Sequence, residues 1–328
     1  MGGVIIKLII CGNGLDIHVG LNTSYRAYRD YLVNKKIYEG ESAISIIEKS
    51  DFFIPRDKDC WTDLENALTF DYRKYITQYI DAFDRDIDVN NYETSIAQMN
   101  SAKQFFKDNP QDIARDFTNN WFWKWIAREY YSNIEDICYK NSNDSIHEVI
   151  DRDCICINFN YTHTLEDMFD INKTNVLYIH NRLPDKRNLN DKGIDFERDI
   201  LALAKKQFQF GSVNNYLDEW INFANSIKLK SSQKLMSKKS LIDNLKEIYY
   251  AFSKKLSMNY NVLSKFIDEN KTKITEVIVL GLLEIDGIQH PNPVWLIDDL
   301  SLLVLHGLSV LPQLGCAPLE HFSALHQN

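Results

Sequence analysis

Paired cysteines are missing from this chain. Its six thiols, Cys11, Cys60, Cys138, Cys154, Cys156 and Cys316, never stand in C-x-x-C spacing. That pattern indicates neither a zinc site nor a disulfide framework, and it reads as reduced, mostly buried thiols of a reducing compartment. No apolar run is long enough for a signal peptide or a membrane span. Val4–Ile10 is short and broken by Lys7, and the Leu-rich stretch Trp295–Leu314 carries Asp298, Asp299 and His306. A cytoplasmic protein without membrane contact is therefore expected. Positive charge is also in deficit. With a net charge of −9, gripping a phosphate backbone is not expected to be the main task, since that relies on clustered Lys and Arg. No H-E-x-x-H, Walker or G-x-S-x-G string occurs, so the signatures of zinc proteases, P-loop enzymes and α/β-hydrolases are absent.

Lys and Arg disappear altogether from the last 47 residues, which hold four of the seven prolines and four of the eight histidines. Residues 282–328 are accordingly set apart as an atypical C-terminal tail and left out of the site.

Four apolar, β-branched runs stand against a helical background: Val4–Ile10, Cys154–Phe159, Val176–Ile179 and Glu276–Leu280. Continuous apolarity suits strands covered on both faces. Strands separated by helices predict an α/β fold with a Rossmann-like, mostly parallel sheet and helices on both faces. About 140 residues separate the first run from the second, far more than one crossover helix needs. Hence 1–39 and 151–281 are expected to form the α/β core, and 40–150 a helical insertion or cap. Thr23 or Ser24 is placed to cap a helix bearing Tyr25, Tyr28, Tyr31 and Leu32. Thr62-Asp63-Leu64-Glu65 has capping-box spacing. A long helix over 111–139 carries Trp121, Phe122, Trp123, Trp125 and Tyr130, whose spacing points to packing. Leu241, Leu245, Ile248, Phe252 and Leu256 mark a helix in the 237–269 region. Residues 181–200 read as a mobile loop.

Each strand runs into polar or glycine residues. The first leads to Gly12-Asn13-Gly14-Leu15-Asp16-Ile17-His18, the second to Asn160-Tyr161-Thr162-His163-Thr164, the third to His180-Asn181 and the fourth to Gly281. If the strands are parallel, all of these meet at one sheet edge, where open α/β sheets bind ligands. The G-x-G turn alone fits a plain strand-to-helix turn better than an anion cradle, because Ile17 stands where a dinucleotide fingerprint has its third glycine. Asp16 suits a helix cap or a hydroxyl contact, and His18 a base or a loop hydrogen bond. Asn160 offers a donor and an acceptor for water or a ribose hydroxyl, or simply ends its strand. Thr162 or Thr164 is expected to cap the following helix. His180 is mounted as a base would be, or serves structure.

Together these strings resemble the AbiH family of bacterial abortive-infection proteins, which protect cell populations against bacteriophages. Its pattern G-N-G-F-D-x-x-H-G-L-x-T-S-Y is matched by Gly12 through Tyr25, W-x-x-L-E by Trp61 through Glu65, F-N-Y-T-x-T-L-E by Phe159 through Glu166, and I-H-G by Ile179-His180. Val19 is inserted before Gly20, Asn181 replaces the glycine after His180, and the segment usual after Gly281 is replaced by the tail. A weaker resemblance, of order and residue type, links the arrangement to sirtuin-like proteins, whose defence members cleave NAD. The resemblance implies a phage-defence effector that hydrolyses the nicotinamide–ribose bond of NAD or a related nucleotide. Its implied catalytic residues are Asn160, His180, Asp16 and His18. The implied ligand-binding set is Gly12, Asn13, Gly14, Thr23, Ser24, Tyr161 and Thr162, with no metal and no resident cofactor. A homo-oligomer answering a phage-derived trigger is expected. Two rival readings use the same crevice: a metal-dependent nuclease or nucleotide-cleaving toxin, and a non-enzymatic nucleotide sensor or partner-binding module.

Overall fold

The computed structural model describes residues 6–36, 41–49, 61, 64, 70–83, 110–142, 144–185, 217–227, 234–253 and 256–280. The capping box at Thr62-Asp63, Gly281, the tail and loop residues 186–200 lie outside the described residues.

All four apolar runs become strands. These are β1 (Ile6–Cys11), β2 (Ile155–Asn158), β3 (Val176–Tyr178) and β4 (Ile274–Leu280). They pair in parallel in the order β3-β2-β1-β4, so the fold is α/β. The register sets Cys11 beside both Asn158 and Leu280, and Asn158 beside Tyr178. The carboxyl ends of all four strands are therefore level. After β1 the chain adds β2 and β3 on one side, then returns to lay β4 on the other. Strand order thus reverses at β1, the place where open parallel sheets form a ligand crevice.

β2 is buried at every position, and β1 from Leu8 onward. Leu8, Ile9, Ile10 and Cys11 are all buried, although alternate residues point to opposite faces. On one face Leu8 and Ile10 join Ile155, Ile157, Ile179, Leu263 and Ile274 in a continuous core, with Phe266 and Ile267 packed against it. Lys7 does not interrupt this arrangement. Its ammonium donates to the carbonyl oxygens of Val149 (2.8 Å) and Glu148 (3.4 Å) and pairs with Asp151 at 3.3 Å. It thereby satisfies the open carbonyls of the short helix Ile146–Val149. β4 is more exposed, with Thr275, Glu276 and Val279 open to solvent.

The chain divides into two compact units. The first takes in the described residues of Met1–Leu21, Ile134–Ile179 and Leu256–Asn328, and holds the sheet. The second takes in those of Asn22–Asn133 and His180–Lys255. Its core is aromatic. Tyr28 is fully buried on helix Tyr25–Asn34, with its ring 5.0 Å from Trp125, 5.2 Å from Phe122 and 5.4 Å from Phe117. Its hydroxyl donates to the Phe117 carbonyl at 2.6 Å, giving the buried polar tip a partner. Trp121, Phe122, Trp123, Trp125 and Tyr130 are all buried, so the Trp-rich segment is packing. Ser24, the alternative to Thr23, caps the helix by accepting from Ala27 N–H at 3.2 Å.

Two predicted helices are not continuous. The 111–139 helix contains a π-helical stretch, Asp116–Trp121, between Pro110–Arg115 and Phe122–Lys140. The 237–269 region forms two helices, Lys234–Phe252 and Leu256–Asn270. Its apolar stripe Leu241, Leu245, Ile248 and Phe252 is buried as expected, but neither Pro nor Gly announces the break after Phe252.

Candidate functional site

The described site is built within the first unit, where the loops after β1 and β2 meet. Gly12 leaves β1 with both backbone groups committed. Its N–H donates to Leu280 O at 3.2 Å, and its carbonyl accepts from Leu15 N–H at 3.0 Å. The short helix α1 (Asn13–His18) then begins, with Gly12 as its N-cap.

The second loop is fastened to this turn. Phe159 N–H donates to Cys11 O at 2.9 Å, extending the parallel ladder by one residue. Asn160 N–H next donates to Asn158 Oδ1 at 2.8 Å, an Asx-turn that swings the chain out of the strand. The swing carries the Asn160 amide to the glycine turn, where Nδ2 donates to Gly12 O at 2.8 Å. Asn160 is buried, so this contact is shielded from water.

Asp16 is the hub beneath both loops. It is only 1% exposed, and its two carboxylate oxygens accept from Thr162 Oγ1 at 2.7 Å and Thr164 Oγ1 at 2.6 Å. Burial pushes its pKa from 3.8 to about 6, against the opposing pull of hydrogen bonds from Thr164, Thr162 and Asn160. The expected threonine cap is therefore not made. Helix Thr164–Phe169 starts behind His163 with no side-chain cap, and the Thr162 and Thr164 hydroxyls are turned toward Asp16. Asp16 likewise does not cap α1, being its fourth residue.

Other expected residues fall elsewhere. His18 points to solvent and pairs with Asp144 at 3.5 Å. The inserted Val19 is the C-cap of α1, and Gly20 follows it with φ +100°. Leu21 N–H donates to Asp16 O (2.9 Å) and Gly20 N–H to Ile17 O (3.0 Å), a Schellman closure needing a left-handed residue at Gly20. Tyr161 is half-buried on the second loop and Thr162 fully buried. Thr23 and Ser24 belong to the second unit, Thr23 buried and Ser24 capping its helix. His180 is the first residue of that unit's later segment, and is buried. It directly follows Ile179, whose N–H donates to Asn158 O at 3.0 Å. Asn181 takes φ 68°. The position that is glycine in the resembling pattern is thus left-handed here, and Asn is the side chain that tolerates this best.

Sequence reasoning passed over two participants. Asn158 sits inside the apolar run Cys154–Phe159 and is 1% exposed. An amide at a buried strand position always demands partners, and that was its available signal. Glu166 Oε2 accepts from Tyr178 Oη at 2.6 Å, joining the helix after β2 to the end of β3. Of the described thiols, Cys11, Cys154 and Cys156 are buried and Cys138 is partly exposed. Burial raises Cys11, Cys154 (to about 11) and Cys156, which leaves them protonated at neutral pH.

A four-stranded parallel sheet with polar loops joined at its carboxyl edge, where strand order reverses, places the chain in the α/β class. Residues 8–285 match the family described as bacteriophage abortive infection AbiH. The chain belongs to that family, and its role lies in abortive infection. No curated protein and no solved structure gives a significant match. Among the described residues, no helix is long and apolar enough to cross a membrane, and no group of three or more His, Cys, Asp and Glu is placed to hold a metal ion.

Proposed function

We propose that the protein acts in abortive infection by hydrolysing the nicotinamide–ribose bond of NAD or a related nucleotide. One observation carries the reading: the glycine turn and the Asn160 loop are joined by the 2.8 Å contact between Asn160 Nδ2 and Gly12 O, at the edge where strand order reverses. Breaking this bond passes through an oxocarbenium-like centre. The protein must hold the ribose and a water while nicotinamide leaves. The diphosphate is assigned to the turn Gly12-Asn13-Gly14 at the start of α1. Asn160 and Tyr161 line the sugar, and His180 serves as base. Asp16 works through Thr162, Thr164 and Asn160 instead of on the sugar itself, because its oxygens are turned inward. The order of glycine turn, asparagine loop and strand-end histidine is similar to that of sirtuin-like defence proteins, and this likeness is what points to NAD.

The test is nicotinamide release from NAD by purified protein, alone and with lysate of phage-infected cells. Asn160→Ala and His180→Ala should each abolish it. Full release by both variants removes the residue assignment. Absence of release alongside metal-dependent loss of nucleic acid favours a nuclease. A ligand-induced rise in melting temperature without product favours a sensor.

A further inference from the structure

We propose that Asn158, which no motif assigns, is the positioning residue of this site. The inference rests on the reading above that the Gly12 turn and the Asn160 loop form one binding edge. Asn158 is buried at the last position of β2, level with Cys11 and Tyr178. Its side chain uses both ends. Oδ1 accepts from Asn160 N–H at 2.8 Å and from the Cys11 thiol at 3.5 Å, while Nδ2 donates to Thr162 O at 3.5 Å. Its carbonyl meanwhile accepts from Ile179 N–H at 3.0 Å, holding the residue that precedes His180. One amide therefore sets the Asx-turn, ties β1 to β2 at the edge and fixes the exit of the loop. The direction in which Asn160 points follows from it.

The identity of the side chain matters as much as its size. Aspartate would keep the acceptor for Asn160 N–H but lose the donor to Thr162 O. It would also add a second buried carboxylate near Asp16, whose own charge is already penalised by burial. Alanine would leave the Asn160 N–H without its acceptor, while the Thr162 carbonyl would keep only Tyr178 Oη at 3.2 Å. Serine keeps a shorter acceptor able to form the weaker hydroxyl version of the turn.

The experiment uses the full chain as wild type, Asn158→Ala, Asn158→Asp and Asn158→Ser, with Tyr139→Ser as control because Tyr139 is 85% exposed. Assays run at a temperature where circular dichroism finds every variant folded. A misplaced reacting geometry costs about 100-fold. Asn158→Ala is therefore expected to lower kcat for nicotinamide release about 100-fold with KM nearly unchanged, Asn158→Asp at least as much, and Asn158→Ser less. Hydrogen exchange should quicken across 158–164 in Asn158→Ala and stay unchanged in the rest of the sheet. Unaltered kcat in folded Asn158→Ala, or unaltered exchange at 158–164, overturns the proposal. So does an activity loss that disappears on cooling in step with stability. If wild type releases no nicotinamide, the NAD reading fails separately. Protection against phage at equal soluble protein then becomes the activity readout, and retained protection by Asn158→Ala, or unaltered exchange, overturns the role of Asn158.

Discussion

Gly20 and Asp16 make opposite demands on the chain within five residues. Gly20 must be left-handed, yet a Cβ added there would meet nothing within 4 Å. The cost of a side chain is thus backbone strain alone. Gly20→Ala should lower stability by about 1–2 kcal/mol, read by urea denaturation, without disturbing packing. Asp16 is strained electrostatically. Its folded pKa of about 6 lies above the 3.8 of an ordinary carboxyl, so the native state holds this proton more tightly than the unfolded chain does. Its contribution is fully present below pH 3.8 and is lost as pH rises through about 6, a span of about 3 kcal/mol. Between pH 7.5 and pH 5, wild type should gain on the order of 1 kcal/mol relative to Asp16→Asn. Paired denaturation curves at the two pH values measure it, and parallel behaviour of the two proteins contradicts the burial argument.

Strands were more legible than helices, for a physical reason. A strand covered on both faces is expected to be largely apolar, which suits β1 and β2, while β3 is half-buried and β4 partly exposed although both stood out as apolar runs. Leu8→Ala, which empties a side chain from the core shared by β1, β2 and β4, should cost about 2–5 kcal/mol by chemical denaturation. Caps were legible only where nothing competed. Ser24 caps its helix, and Ser24→Ala should cost about 1 kcal/mol by the same measurement. Thr162 and Thr164 have the same chemistry, but Asp16, nearly 150 positions away, claims both hydroxyls. No local pattern registers a partner at that separation. Asn158 was hidden differently, since Asn160 and Thr162 are near it in sequence but its amide lies inside an apolar run, and at the break after Phe252 the apolar stripe gives no punctuation.

At the scale of the molecule, the family places the work in abortive infection, while the sheet supplies the edge on which that work is proposed to occur. The two levels separate experimentally. In phage-challenged bacteria carrying the gene, Gly20→Ala should reduce protection only as far as it reduces the amount of folded protein. Asn160→Ala should abolish protection at undiminished protein levels, as counted by plaque titre against soluble yield. Equal loss per folded molecule in both variants would mean that the Asn160 loop contributes nothing beyond stability.

The pairing of β1 with β4 also sets a timetable. Ile6 and Thr275, 269 positions apart, are hydrogen-bonded across that pair, and Gly12 N–H closes on Leu280 O. At about 5–20 residues per second of synthesis, the edge waits on the order of 10–50 s after its first strand emerges before the neighbour arrives that completes it. Translation interrupted before β4 releases fragments that lack the strand on which Gly12 N–H closes.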